Sequence, residues 1–319
     1  MTIMSLSKYV LMRLVHAIPT LIGIVLIMFI LVRVLPGDPA RLIAGMEATE
    51  EDVQKIREIL GLNKPLHEQF IDYISSLLKG DLGTSLKFGT PVIKEIMARF
   101  PYTVQLAIVA ELFAVLIGIP LGIISAVKPY TKSGYVSTII SLIGSSMPIY
   151  WLGLMLIYLF SVHLRLLPSH GAGTPRHIIL PAITLAVLLM GNIVRITRTA
   201  MIESLESNYI TTARAKGLSE KIVVYRHALK NAAIPIVTIM GLQLGSLMGG
   251  AILTESVFAW PGLGLLLVDS IFFRDYPLIQ GIILFFATVF VILNIIVDVI
   301  YALIDPRVRE SLWMREQRL

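Results

Sequence analysis

The chain contains no cysteine, which excludes a disulfide framework, thiol chemistry and a cysteine-ligated metal site. Charge is also scarce: 15% of the 319 residues are Asp, Glu, Lys or Arg, against roughly 25% in soluble domains. No GxxxxGK[ST] phosphate loop occurs, so ATP is not bound in the P-loop manner. There is no GxSxG elbow and no pair of catalytic acids in or beside an apolar segment. The six histidines (His16, His67, His163, His170, His177 and His227) lie far apart and lack HExxH-type spacing, so no metal site and no cofactor is expected. These absences point to a non-catalytic chain.

Apolar residues are what the chain does have. They make up 56% of it, and the mean hydropathy is +0.81. The formal charge of +6 does not indicate nucleic acid, because no basic face is interleaved with aromatics. Six segments reach the roughly 20 apolar residues that cross a bilayer: Val10–Val32, Thr103–Val127, Tyr135–Val162, Ile178–Thr199, Ala232–Thr254 and Leu278–Ile304. The first is too long for a signal-peptide core and is followed by no A-x-A-like site, so it is read as an uncleaved span. With six spans, Lys8 and Arg13, Lys128 and Lys132, the basic residues from Arg198 to Lys230, and Arg307 to Arg318 all fall on one side. The positive-inside rule makes that side, and both termini, cytoplasmic.

The expected architecture is all-α and integral to the membrane. Residues 1–35 hold the N-terminus and first span. Residues 36–102 form an extracytoplasmic helical subdomain, 103–305 the membrane core with a loop at 201–231, and 306–319 a cytoplasmic tail. In the outer subdomain, Thr49 is an N-cap with Asp52 three residues on. Pro65 opens a second helix that Gly80 closes, and Thr90-Pro91 starts a third. This subdomain is either a rigid cap or a docking surface.

Four regions are candidates for function. The polar, basic stretch from Asn208 to Pro235 lies between two apolar spans, and Ala213 and Gly217 stand at i and i+4, predicting a nearly bare helical strip for docking. Span three is interrupted at Ser145-Ser146-Met147-Pro148, and broken helices in transporters line solute paths. Span five carries Gly241, Gly245 and Gly249 at steps of four, which suits close helix approach within the chain or with a partner. After it, Glu255, Phe258, Trp260 and Pro261 read as an interfacial or re-entrant element at an outer mouth. Within the spans the acids are Glu111 and Asp298, with Asn294 one turn before Asp298, and Arg195 lies near the cytoplasmic end of span four. That is a thin set for an ion-coupled carrier, the rival reading.

The motifs then resemble a known family. PGDP (Pro36–Pro39), GDLGTS (Gly80–Ser85), RFP (Arg99–Pro101), GIPLG (Gly118–Gly122), MPIYWLG (Met147–Gly153), YITTARAKGL (Tyr209–Leu218), HALKNAAIP (His227–Pro235), ExxFxWPGLG (Glu255–Gly264) and RDYP (Arg274–Pro277) occur in order. Together they are similar to the permease subunits of dipeptide/oligopeptide-type ABC importers. The resemblance implies a second homologous permease, two cytoplasmic ATPases, an extracytoplasmic solute-binding protein and alternating access driven by ATP. It implies that Tyr209, Ile210, Thr211, Thr212, Ala213, Arg214, Ala215, Lys216, Gly217 and Leu218 form the ATPase-coupling helix. Thr211 replaces the motif's usual glutamate, so small residues rather than a charge should carry the coupling, with Arg214 and Lys216 free to meet acidic groups of the ATPase. Ser145, Ser146, Pro148, Gly241, Gly245 and Gly249 would line the path. Glu255, Phe258, Trp260 and Pro261, with the outer subdomain, would face the solute-binding protein. Peptides are the expected solute; nickel chelates, glutathione and oligosaccharides are alternatives within the same family.

Overall fold

The computed structural model describes residues 6–34, 39–45, 48–59 and 61–304. Pro36, Gly37 and Asp38 of the PGDP motif and the basic tail from Arg307 to Arg318 lie outside that range. Helix α1 (Leu6–Val34) precedes three short helices, α2 (Pro39–Ala44), α3 (Glu50–Ile59) and α4 (Leu66–Leu78). Then come α5 (Val92–Val127), α6 (Lys132–Ser146), α7 (Ile149–Leu156) with a π-helical turn at Ile157–His163, and α8 (Ile179–Leu205). The chain ends with α9 (Asn208–Ala215), α10 (Glu220–Ile222) with a π-helical turn at Val223–Ala228, α11 (Leu229–Gly250), α12 (Ile252–Val257), α13 (Leu263–Phe272) and α14 (Tyr276–Ile304). Among the described residues, five helical stretches are long and apolar enough to cross a membrane, and a sixth results if the bent α6–α7 pair is one span.

Two expectations about the spans change. Span two does not begin at Thr103: the third cap helix and span two are one helix, α5, continuous across Pro101 and Pro120. At 1.5 Å per residue it is about 54 Å long and overshoots the hydrocarbon core. Pro101 removes only one backbone donor, and the rest of the long helix holds its course. Span three is not one rod with a kink. Met147 and Pro148 are extended, and the two halves meet at 104°. Pro148 explains this, because the residue before a proline is pushed out of the helical region.

Small residues set the core. α5 and α8 form the main helix pair, with Ala107, Ala110 and Ala114 buried among Leu185, Leu189 and Ile193. A Cβ on Gly118 would lie 2.9 Å from Ile193 Cγ2, and one on Gly122 would lie 2.5 Å from Thr197 Cβ. The GIPLG motif is therefore the contact that lets these two backbones approach. Gln243 donates from Nε2 to Leu189 O, tying α11 to α8. α1 reaches α14 through an ion pair between Arg13 and Asp298 at 3.2 Å. Asp298 thus takes its partner from another helix, not from Asn294 in its own.

The short helices between α1 and α5 pack against this frame. Thr49 and Asp52 form a reciprocal capping box at the start of α3: Asp52 N donates to Thr49 Oγ1 and Thr49 N donates to Asp52 Oδ2, both at 3.3 Å. The Thr49 hydroxyl holds the Asp52 carboxyl below its ordinary range. α4 leans on α1 through Phe70 and Tyr73, whose rings meet Phe29 at centroid distances of 5.0 and 6.1 Å. Between α4 and α5, Ser85 Oγ and Lys87 N both donate to the buried carboxylate of Asp275, at 2.5 and 3.1 Å. GDLGTS and RDYP, about 190 residues apart in sequence, thus meet at one acid.

Candidate functional site

Helix α9 stands off the membrane core on an apolar base. Ile210 and Ala213 are buried with Met201, Val223, Val224 and Ala228. Ser204, near the end of α8, accepts or donates to Tyr209 Oη at 2.5 Å and donates to Ala228 O, joining α8, α9 and the π-helical turn. Thr211, Thr212, Arg214, Ala215 and Lys216 are exposed on the opposite side, and Leu218 is half-buried. The result is a short helix fixed at its base with a small, polar outer face.

The expected Ala213–Gly217 strip does not exist. The helix ends at Ala215, so the two residues are not successive turns of one face. Ala213 points inward and is 6% exposed. Gly217 has φ +79° and its amide donates to Arg214 O, the left-handed stop of a helix C-terminus. Glycine stands there for its φ, since a Cβ would meet nothing within 4 Å. Arg214 has a partner inside the chain: Glu220 receives its Nη2 at 2.6 Å and its Nε at 3.2 Å. Lys216 remains exposed.

The outer-mouth residues are in the interior. Glu255 is 0% exposed, Phe258 1% and Trp260 3%. The Glu255 carboxylate accepts from Thr103 Oγ1 at 2.8 Å and from the amides of Gly264 and Leu265 at 2.7 and 3.1 Å. It therefore caps the N-terminus of α13, where helix amides lack partners and the dipole favours an anion. Thr103 in turn accepts from Leu263 N at 2.8 Å. Trp260 Nε1 donates to Tyr102 O at 2.9 Å, and Phe258 packs on Gly153. These contacts bind α5, α7, α12 and α13 into one knot, so Glu255, Phe258 and Trp260 are buried within the chain and do not form the expected exposed surface. Burial follows from the short α12–α13 corner, where Ala259 takes φ +45° and Gly262 leaves no room for a Cβ beside Glu255. Pro261 is half-buried at that corner.

The path residues divide. Ser146 and Pro148 are exposed at the break between α6 and α7, where Ser146 Oγ donates back to Leu142 O at 2.8 Å. The side chain of Ser145 and the surroundings of Gly249 lie outside the described residues. Gly241 and Gly245 face α14: a Cβ on Gly241 would lie 2.5 Å from Val297 Cγ2, and one on Gly245 would lie 3.6 Å from Phe290. Gly241 and Gly245 pack within the chain against α14, so these two do not stand free along an open path as expected. Glu111 is 4% exposed, and neither carboxyl oxygen has a hydrogen-bond partner among the described residues. Sequence reasoning missed Thr103, Asp275 and Gly122. The motif overlaps containing Asp275 and Gly122 were visible in the sequence, but their spatial meeting was not.

Comparison with known proteins places this geometry. Residues 118–310 match the model for binding-protein-dependent transport system inner membrane components, and residues 6–107 match the N-terminal model of such components. The glutathione transport system permease protein GsiC of Salmonella choleraesuis (strain SC-B67) is 47% identical over 302 residues, covering 95% of this chain and 99% of the relative. GsiC of Escherichia coli O6:H1 is 48% identical over the same coverage. Among solved structures, an inward-facing form of the MetNI methionine ABC transporter superposes with a TM-score of 0.56 at 20% identity, covering 66% of this chain and 96% of that one, and so shares the fold. The chain belongs to the binding-protein-dependent transport system inner membrane components and is a multi-pass permease subunit of an ABC importer.

Proposed function

We propose that this permease imports a small peptide, with glutathione the first solute to test and di- or oligopeptides next. The observation that carries the solute is the similarity, 47% over 95% of the chain, to permeases named for glutathione transport. The working unit pairs this chain with a second, homologous permease, two ATPases on the cytoplasmic side and one solute-binding protein outside, with both termini of the permease cytoplasmic. ATP-driven closure of the ATPases displaces α9. Because α9 is tied by Ser204 and Ile210 to α8 and to the turn that opens α11, its displacement is passed to both spans. Exposed Thr211, Thr212, Ala215 and Lys216 support α9 as the docking element. Ser146 and Pro148, at the break of the third span, are the residues kept as path-lining. ATP at one site and the loaded binding protein at the other bias the same two global states, so the coupling is reciprocal.

The test is reconstitution of the permease pair, the ATPases and the binding protein in liposomes, with labelled glutathione and dialanine outside. Uptake of one or both that requires ATP and the binding protein is the expected result. Uptake of neither, or uptake by the permease alone along an ion gradient, overturns the reading.

A further inference from the structure

Where the cap meets the membrane helices, a cavity of about 240 Å³ opens between the outer end of α1, helix α4, the Asp81–Gly83 turn and the start of α14. Its volume is that of roughly eight waters at about 30 Å³ each. Asp81, Leu82 and Gly83 of GDLGTS and Pro277 of RDYP line part of it, while neither α9 nor the Glu255 knot contributes to it.

The inner wall offers donors without acceptors. Gln280 is 7% exposed and lines the cavity, and its Nε2 has no partner among the described residues. Arg33 is half-buried beside it. Its Nε donates to Gln69 Oε1 at 2.9 Å and one Nη1 proton goes to Phe29 O at 3.2 Å, which leaves three of the five guanidinium N–H groups uncommitted among the described residues. Among the described residues no carboxylate lies within ion-pair distance of it, and burial lowers the guanidinium to about 10. The Phe29 ring, 3.4 Å from Cζ, and the Tyr73 wall hold it in place. A desolvated guanidinium beside an unsatisfied carboxamide is a donor set for a carboxylate.

The rim has the opposite sign. Asp72 lines the cavity, but its charge is met by Lys64 Nζ at 2.7 Å. Asp81 is exposed, and only its Oδ1 is engaged, by Gly83 N at 2.8 Å. One unneutralised cation thus stands inside and one unneutralised anion at the mouth. We propose that this cavity is a binding site for a small zwitterion, from an amino acid to a dipeptide in size, with the ligand's carboxylate on Arg33 and Gln280 and its ammonium at Asp81. Neither Ser146 nor Pro148, the residues proposed for the solute path, lines this cavity, and the reading of the chain as a peptide importer stands or falls without it.

The experiment uses the purified permease with its ATPases in detergent, without the solute-binding protein, and measures binding calorimetrically. The probes are dialanine, N-acetyl-dialanine and dialanine amide. Dialanine is expected to bind saturably, and each blocked form about ten-fold or more weakly. Arg33→Gln should weaken dialanine by a similar factor while leaving the amide unchanged, and Asp81→Asn should abolish the preference for dialanine over its acetylated form. If Arg33→Gln does not assemble, Asp81→Asn at the exposed rim and the blocked probes on the unmodified protein decide alone. Absence of saturable dialanine binding, or binding that both substitutions leave unchanged, overturns the proposal. So does weaker capture of the solute-binding protein by Arg33→Gln without any dialanine binding, since the cavity would then take a protein carboxylate. ATP-driven uptake in liposomes should persist in Asp81→Asn, which separates failure of this site from failure of the importer reading.

Discussion

At the scale of single residues, Glu255 is the clearest case of chemistry serving structure. A fully buried carboxylate is tolerated only when paired or fully hydrogen-bonded, and here Thr103, Gly264 and Leu265 supply three donors. Glu255→Ala would strand those donors at a cost of about 3 kcal/mol or more. Gly262→Ala should do much the same, because its Cβ would lie 2.3 Å from Glu255 Oε1 and push the carboxylate off the amides. The two losses should not add, since both act through one set of hydrogen bonds. Thermal unfolding of the purified permease checks this: both single variants should unfold at lower temperature and the double variant no lower than the worse of them. An unchanged unfolding temperature in Glu255→Ala would remove the cap from the account. None of this was legible in the sequence, where Glu255 beside aromatics and Pro261-Gly262 has the pattern of a membrane-interface segment. Only folding brings Thr103, 152 residues away, to the acid.

At the scale of elements, apolar length identified where the spans lie, and the tertiary partners decided the rest. The hydrophobic runs gave six spans, the third of them a bent helix pair, and the position of the break at Pro148. Their periodicity said nothing of the 104° between α6 and α7. Continuity of α5 was hidden because Pro101 looks like a boundary, yet a helix packed along its length tolerates one missing amide. The small-residue strip of α11 was legible from its spacing and GIPLG of α5 only as a motif, and neither says which neighbour fills it. The structure answers with α8 for Gly118 and Gly122 and with α14 for Gly241 and Gly245. The α5–α8 contact is the tighter, since the Gly122 Cβ would also meet the backbone oxygen of Val194 at 2.9 Å. Gly122→Leu should therefore force α5 and α8 apart, at a cost of about 1–3 kcal/mol in overpacking. Gly23→Leu, where a Cβ would meet nothing within 4 Å, should cost far less. Comparing yields of folded, monodisperse protein and unfolding temperatures for the two variants tests this, and equal behaviour would show that the α5–α8 approach does not limit the fold.

At the scale of the whole molecule, the proposed coupling requires that a force applied at α9 reach the Glu255 knot. The contacts supply a continuous route: α8 carries Ser204 at the α9 end and packs against α5 along its length, while α5 carries Thr103 into the Glu255 network. This continuity makes the two faces of α9 experimentally separable. Ala215 is exposed and Ala213 is buried in the base. Ala215→Trp should fold normally, obstruct ATPase docking and abolish ATP-driven uptake. Ala213→Trp should overpack the base and lower the unfolding temperature of the permease itself. Tryptophan at Gly217 is the poorer probe, because its φ of +79° strains any side chain there and mixes a folding defect with a docking one. Co-purification of the ATPases, unfolding temperature and uptake, measured on the same preparations, distinguish the outcomes. Normal uptake by Ala215→Trp would remove the exposed face of α9 from the coupling route and leave the transmission through α8 and α11 without an input.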